Sequence, residues 1–108
     1  MPTAVKVLGQ SAPSATTNTD VYTVPSGGQA VLSSIAICNR GAAGTFRVAI
    51  RPDGAALANQ HYIVYDAPID ANETLFVAQG VTIDAADVVT VYCSHGNMSV
   101  NVFGEETT

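Results

Sequence analysis

The chain has 108 residues, 47% of them apolar and only 12% charged, with a net charge of −5. That length makes one domain able to bury roughly two thirds of its unfolded surface, and it leaves no room for a second. An acidic chain without a basic cluster cannot displace counterions from a phosphate backbone, so nucleic acid is not an expected partner. The charge is also uneven. Residues 1–51 carry +3 through Lys6, Arg40, Arg47 and Arg51 against Asp20, and the remainder carries −8. Such polarity can align subunits or dock the chain on another protein, but most of these charges fall in expected turns and read first as solvated turn residues.

The N-terminal MPTAVKVLGQ lacks a long apolar stretch and no run reaches membrane-spanning length, so neither export nor a membrane partner is expected. Ala4–Leu8 reads as a short edge strand. The small polar stretch Gly9–Asn18 reads as a loop or an arm lying on a neighbour. Residues 1–18 are therefore set apart as strand and arm, residues 19–104 as the main domain and residues 105–108 as an acidic tail. Val21–Val24 is a second strand, closed by Pro25 and the Gly27, Gly28 pair.

Ala30–Asn39 is the longest candidate strand. Alternation places Val31, Ser33, Ile35 and Ile37 on one face and Leu32, Ser34, Ala36 and Cys38 on the other, both partly apolar, as in a strand covered on both sides. Thr45–Arg51 alternates more cleanly, with Phe46, Val48 and Ile50 inward and Thr45, Arg47, Ala49 and Arg51 outward. Arg51 to Gly54 has the residues of a type I turn, and Ala55–Asn59 has room for one helical turn. His61–Tyr65 is a fifth strand, with Tyr62 and Val64 opposed to His61, Ile63 and Tyr65. Asp66–Glu73 reads as a loop. Thr74–Gln79 is a sixth strand, Gly80 suggests a bulge, and Val81–Ile83 continues the extended path. Asp84–Asp87 turns the chain, Asp87–His95 is a strand with Val89, Val91 and Cys93 inward, and Gly96 with Asn97 makes a two-residue hairpin turn of type I′ or II′ into a last strand with Met98, Val100 and Val102 inward. Turn signals every 8 to 12 residues without helical periodicity give an all-β, single-domain antiparallel sandwich, jelly-roll-like, of about eight strands.

No catalytic, cofactor or metal site is expected. Ser94 and His95 are adjacent and point to opposite faces of a strand, as do His61 and Asp66 by parity, so neither makes a nucleophile and base pair. Asp66, Asp70 and Glu73 lack the spacing of a calcium loop and suit turns and caps. Cys38 and Cys93 stand 55 positions apart; a disulfide and two buried thiols are both open, with intracellular synthesis favouring thiols. Tyr22, Tyr62, Tyr65 and Tyr92 suggest a sugar-stacking platform, yet without Trp and spread over three strands they read as strand and interface residues.

The runs YTVPSGGQAVLSSIAICNRG (residues 22–41), FRVAIRPDG (46–54), HYIVYDAPI (61–69) and VTVYCSHGNMSVNVFGEE (89–106) resemble small virion structural proteins of tailed bacteriophages. The resemblance implies a capsid decoration, or cement, protein: non-enzymatic, made in the host bacterial cytoplasm and carried on the virion. Its implied partners are the major capsid protein and other copies of itself, with a trimer preferred and a dimer open. It brings no catalytic residues and no cofactor. A head, neck or tail fibre component, a baseplate component and a carbohydrate-binding receptor module are the alternatives. For contact with the capsid or with another copy, the candidate residues are Lys6, Leu32, Ala36, Arg47 and Arg51, together with the arm.

Overall fold

The computed structural model describes residues 3–77 and 80–108. Nine strands follow in order: β1 (Thr3–Ser11), β2 (Thr19–Thr23), β3 (Gln29–Asn39), β4 (Gly44–Arg51), β5 (Tyr62–Ile69), β6 (Thr74–Val77), β7 (Val81–Asp84), β8 (Val88–Cys93) and β9 (Met98–Thr107). Short 3-10 turns occupy Pro52–Gly54 and Asn59–His61. All pairings are antiparallel. One sheet, here sheet A, has the order β1-β9-β3-β6, with β7 also on β3; the other, sheet B, has the order β2-β8-β4-β5.

The pairs β1 with β9, β2 with β8, β3 with β6 and β7, and β4 with β5 nest around the middle of the chain. This is a ribbon of paired strands wrapped into two facing sheets, which makes the sandwich a jelly roll. The count of eight expected strands is met because β6 and β7 are two lengths of a single edge. From Val77 to Val81 the edge advances four positions while its partner moves three, from Ile35 to Leu32. Gly80, where a bulge is expected, sits at φ 65; the end of the expected sixth strand, residues 78–79, lies outside the described residues.

The core lies between the sheets. Leu32, Ile35, Ile37, Met98, Val100 and Val102 from sheet A meet Phe46, Val48, Ile69, Val89, Val91 and Cys93 from sheet B, all at most 1% exposed. Ile50, expected inside, is half-buried against this cluster. The face assignment of Leu32 is corrected by the register. Ladder partners pass from Leu32–Gly104 to Ser34–Phe103, so Ser33 is an extra residue in β3 and the side chains after it change face. Leu32 therefore shares the inner face with Ile35. Gly104 is required at this point, because a Cβ there would collide with the Val31 carbonyl oxygen.

Other expectations are revised at the ends of strands. The N-terminal segment is no free arm: β1 pairs with β9 along its length, through Ser11. Glu105, Glu106 and Thr107 belong to β9 rather than to a tail. The turn after Arg51 is displaced by one residue. Asp53 and Gly54 both have positive φ and the Ala55 N–H donates to the Pro52 carbonyl, so Asp-Gly occupies the corner as in primed turns. The β8–β9 connection spans Ser94–Asn97, and Gly96 is not in the left-handed region, so it is no two-residue primed turn. Asp66–Glu73 is only partly a loop, since β5 runs on to Ile69.

Two buried or half-buried side chains hold these connections. Asn39, 1% exposed, donates from Nδ2 to the carbonyls of Ala42 and Asp70 and accepts at Oδ1 from the Gly41 N–H. It ties the β3–β4 and β5–β6 turns together. The Asp87 carboxylate accepts the N–H groups of Asp53 and Asp84, both at 2.8 Å. Among the described residues no buried side-chain polar atom lacks a partner, which favours a single rigid packing.

If the Ser33 bulge sets the inner face, Leu32→Ala should cost about 2–5 kcal/mol in urea unfolding. Val31→Ala, outside the core at 41% exposure, should cost less than about 0.5 kcal/mol. The reverse order would place the bulge elsewhere.

Candidate functional site

The outer face of sheet B carries an aromatic and arginine cluster built by irregularities in β5. Against β4, partners run from Phe46–Ala67 to Val48–Val64 and then to Ala49–Tyr62, so β5 holds an extra residue twice. Asp66, at φ 50, occupies the first of these bulges. Aspartate tolerates the left-handed region better than most residues, and a bulge there re-aims its neighbours. The outcome reverses the expected parity. Val64 faces in opposite Val48, while Tyr62, Tyr65 and Asp66 all lie on the side of Arg47.

Arg47 is the centre of the cluster. Its guanidinium carbon lies 4.4 Å from the Tyr65 ring centroid and 4.3 Å from that of Tyr92, a double cation–π stack. Its Nε donates to Asp66 Oδ1 at 2.6 Å and Nη2 to Oδ2 at 3.3 Å. That hydrogen bond above all holds the guanidinium yet more firmly protonated. Tyr62 meets Tyr65 edge to face, centroids 4.9 Å apart and planes at 82°. In the corner of these two rings, with Asn59 at its rim, lies an open depression of about 470 Å³. Three of the four tyrosines thus come together, which strand counting did not anticipate. Tyr22 is the exception and enters the core.

The second arginine on this face has a different role. Arg51 donates from Nε to Thr90 Oγ1, from Nη2 to both oxygens of Asp20, and from Nη1 to the carbonyls of Gly54 and Ala55. Thr90, 3% exposed, donates in turn to Asp20. Arg51 shares the outward face with Arg47 as expected, but its donors are spent on joining β2, β4, β8 and the turn at residues 52–55.

The outer face of sheet A carries exposed apolar side chains among polar ones, with Gln10, Asn101, Ser34, Ser99 and Thr82 in the same ladder rows. Val5 is 82% exposed, Phe76 70%, Val7 46% and Val31 41%. Ladder register aligns Val7 with Phe103 and Ser34, and sets Ala36 beside Phe76. One carboxylate, Glu105, stands between Val5 and Val31. Of the expected contact residues only Ala36 lies in this face, and at 8% exposure it is largely covered. Leu32, at 0%, is core and not a contact residue.

Lys6 turns toward the opposite side of β1 and pairs with Glu106 at 3.3 Å. Glu106 also accepts from Tyr22 Oη at 2.6 Å. The Tyr22 hydrogen bond, and then Lys6, hold the Glu106 carboxyl below the ordinary range. Burial and the same carboxylate push the Tyr22 phenol well above its ordinary value. This chain of contacts joins β1 and β9 to β2, and so ties sheet A to sheet B.

The other polar candidates have local roles. His61, 8% exposed, accepts at Nδ1 from the Ala58 N–H. His95 lies 2.7 Å from the Ala42 carbonyl through Nε2 and accepts the Asn97 N–H at Nδ1, which fixes the proton on Nε2. Ser94 Oγ accepts from the Thr45 N–H. Asp70 and Glu73 close their own turn. The two cysteines are free. Cys38 lies outward, in register with Ser99 and Thr74, whereas Cys93 is in the core, where burial raises its thiol to about 11. Among the described residues no group of three or more His, Cys, Asp or Glu gathers as a metal site, and no helix is long and apolar enough to cross a membrane.

Comparison with family models, with curated proteins and with solved structures finds no match to this chain.

The Glu106 contacts have a pH signature. A carboxyl held low contributes stability above the ordinary carboxyl range, near pH 4, and loses it as pH falls through its folded value; a phenol held high contributes below about pH 10 and loses it above. Wild-type stability should therefore fall on both sides. Glu106→Gln should cost about 1–2 kcal/mol at neutral pH and flatten the acid limb of a plot of urea midpoint against pH. Parallel profiles for the two proteins would remove Glu106 from the tie.

Proposed function

We propose that the chain is a non-enzymatic virion structural protein of the capsid decoration type, acting in many copies through contacts with the major capsid protein and with itself. The observation that supports this reading best is the outer face of sheet A. Apolar side chains as large as Phe76 stand more than two thirds exposed there, and on a monomer such a face marks a contact surface. The resemblance of four runs to phage virion proteins points the same way. Double-sheet jelly rolls also recur in viral shells, a fold-level analogy that assigns no function by itself.

The mechanism on this reading is mechanical. A sandwich with its end connections tied by Asn39, Asp87 and Arg51 presents a stiff face, so little ordering entropy is lost on binding. Each contact is small, and copies bridging neighbouring capsid subunits add through multivalency. Lys6 and Arg51 contribute by holding the scaffold, since their charges are paired within the chain. Arg47 is likewise paired, to Asp66.

Quantifying the protein in purified particles tests the reading: hundreds of copies on the head are expected, and a few at the tail would select the fibre or baseplate alternative. Val5→Glu combined with Phe76→Glu should lower head occupancy by about tenfold or more while leaving the folded monomer intact by circular dichroism. Unchanged occupancy and oligomer mass would remove this face from the contact.

A further inference from the structure

We propose that the corner formed by Asn59, Tyr62 and Tyr65 on the outer face of sheet B is a binding site for a neutral saccharide. It is separate from the outer face of sheet A, and the inference does not depend on where in a particle the protein sits.

Charge comes first. Arg47 is the cation of this cluster, and its charge is met by Asp66 in a two-point contact and covered by two aromatic rings. The net charge at the corner is zero, so neither an anionic nor a cationic ligand finds an uncompensated counter-ion. Shape is the second argument. Tyr65 is 58% exposed although Arg47 stacks on its ring, and Tyr62 stands at 82° to it, so the two rings give a floor and a wall. The depression they border with Asn59, about 470 Å³, is open to solvent and shallow, which suits a ligand laid on a surface.

The polar groups of the corner are unspent. Among the described residues the hydroxyls of Tyr62 and Tyr65 and the Asn59 amide take no part in side-chain hydrogen bonds. Two phenols offer both donor and acceptor, and the amide offers two donors and an acceptor. A pyranose matches this set: one face of C–H groups for an aromatic ring, and a rim of hydroxyls for the phenols and amide. A purely apolar ligand would use the rings alone and leave the phenols and the amide to water, whereas a saccharide uses both. The stack of Arg47 between Tyr65 and Tyr92 and its pairing with Asp66 hold Tyr65 in place before any ligand arrives, which reduces the ordering cost of binding.

A second depression among the described residues, about 360 Å³ beside β3 and β7, is less suited. Its Asp87 carboxylate is already engaged by two backbone N–H groups.

The test is amide and side-chain NMR of the full chain titrated with lactose, maltose and chitobiose, and in parallel with sialyllactose and inorganic phosphate. At least one neutral sugar should shift Asn59, Tyr62 and Tyr65 resonances in a saturable way. Tyr65→Ala should weaken that binding by about tenfold or more, and Tyr65→Phe should keep most of it. Tyr65 is largely exposed, so both variants should retain the wild-type amide spectrum away from the corner; Asn59→Ala supplies a second variant at a loop position. No saturable shift with any neutral sugar at tens of millimolar overturns the proposal, as does an equal response in Tyr65→Ala. Tighter binding of sialyllactose or phosphate than of lactose overturns the neutral class.

Discussion

A β-strand has a side-chain period of two, so one extra residue in a ladder sends every later side chain to the other face. That constraint governs which surfaces this molecule presents. In β3 the extra Ser33 joins Leu32 to Ile35 on the inner face and closes the core. In β5 two extra residues place Tyr62, Tyr65 and Asp66 together on the outer face, where Arg47 already stands. Without the first the core would lose its Leu. Without the second pair the aromatic and arginine cluster would be dispersed between core and solvent.

The wider architecture was legible because it rests on signals that survive such local shifts. Turn residues between short apolar runs marked nearly every strand, and the alternation of Phe46, Val48 and Ile50 located the core side of β4. Bulges leave a fainter trace. Asp66 lies inside a strongly β-forming stretch, YIVYDAPI, and a residue that tolerates positive φ within a strand is the mark of a bulge as well as of a loop. Reading it as a loop ended β5 four residues early, and strict alternation over residues 62–65 separated Tyr62 from Tyr65, because the second extra residue, between Tyr62 and Val64, leaves no mark in the sequence. Ser33 carries no comparable signal: a serine pair within a long strand fits either register. Strand order was beyond the sequence too, since it depends on pairings between the two ends of the chain, such as β1 with β9.

Charged residues show how polar groups in a sparsely charged chain are used. Arg51 and Lys6 were candidates for outside contacts because they alternate outward or lie on an edge strand. Their partners, Asp20 and Glu106, are distant in sequence and become neighbours only through the wrap of the ribbon. With those charges satisfied internally, the two outer faces differ in chemistry: the arginines of sheet B are paired with Asp66 and Asp20, and sheet A carries Glu105 among its apolar side chains. Sheet A offers branched and aromatic apolar surface, and sheet B offers rings with a hydrogen-bonding rim. On the proposed reading the first holds the protein on a shell, and the second remains open to a ligand.

The bulges in β5 are the point on which both the cluster and its proposed use stand, and proton NMR of the free protein reads them directly. The account predicts Arg47 side-chain protons shifted strongly upfield by the Tyr65 and Tyr92 rings, with nuclear Overhauser contacts between the rings of Tyr62 and Tyr65. Arg47 protons at unperturbed positions, together with contacts from the Tyr65 ring to the methyls of Val48, would place Tyr65 in the core and contradict it.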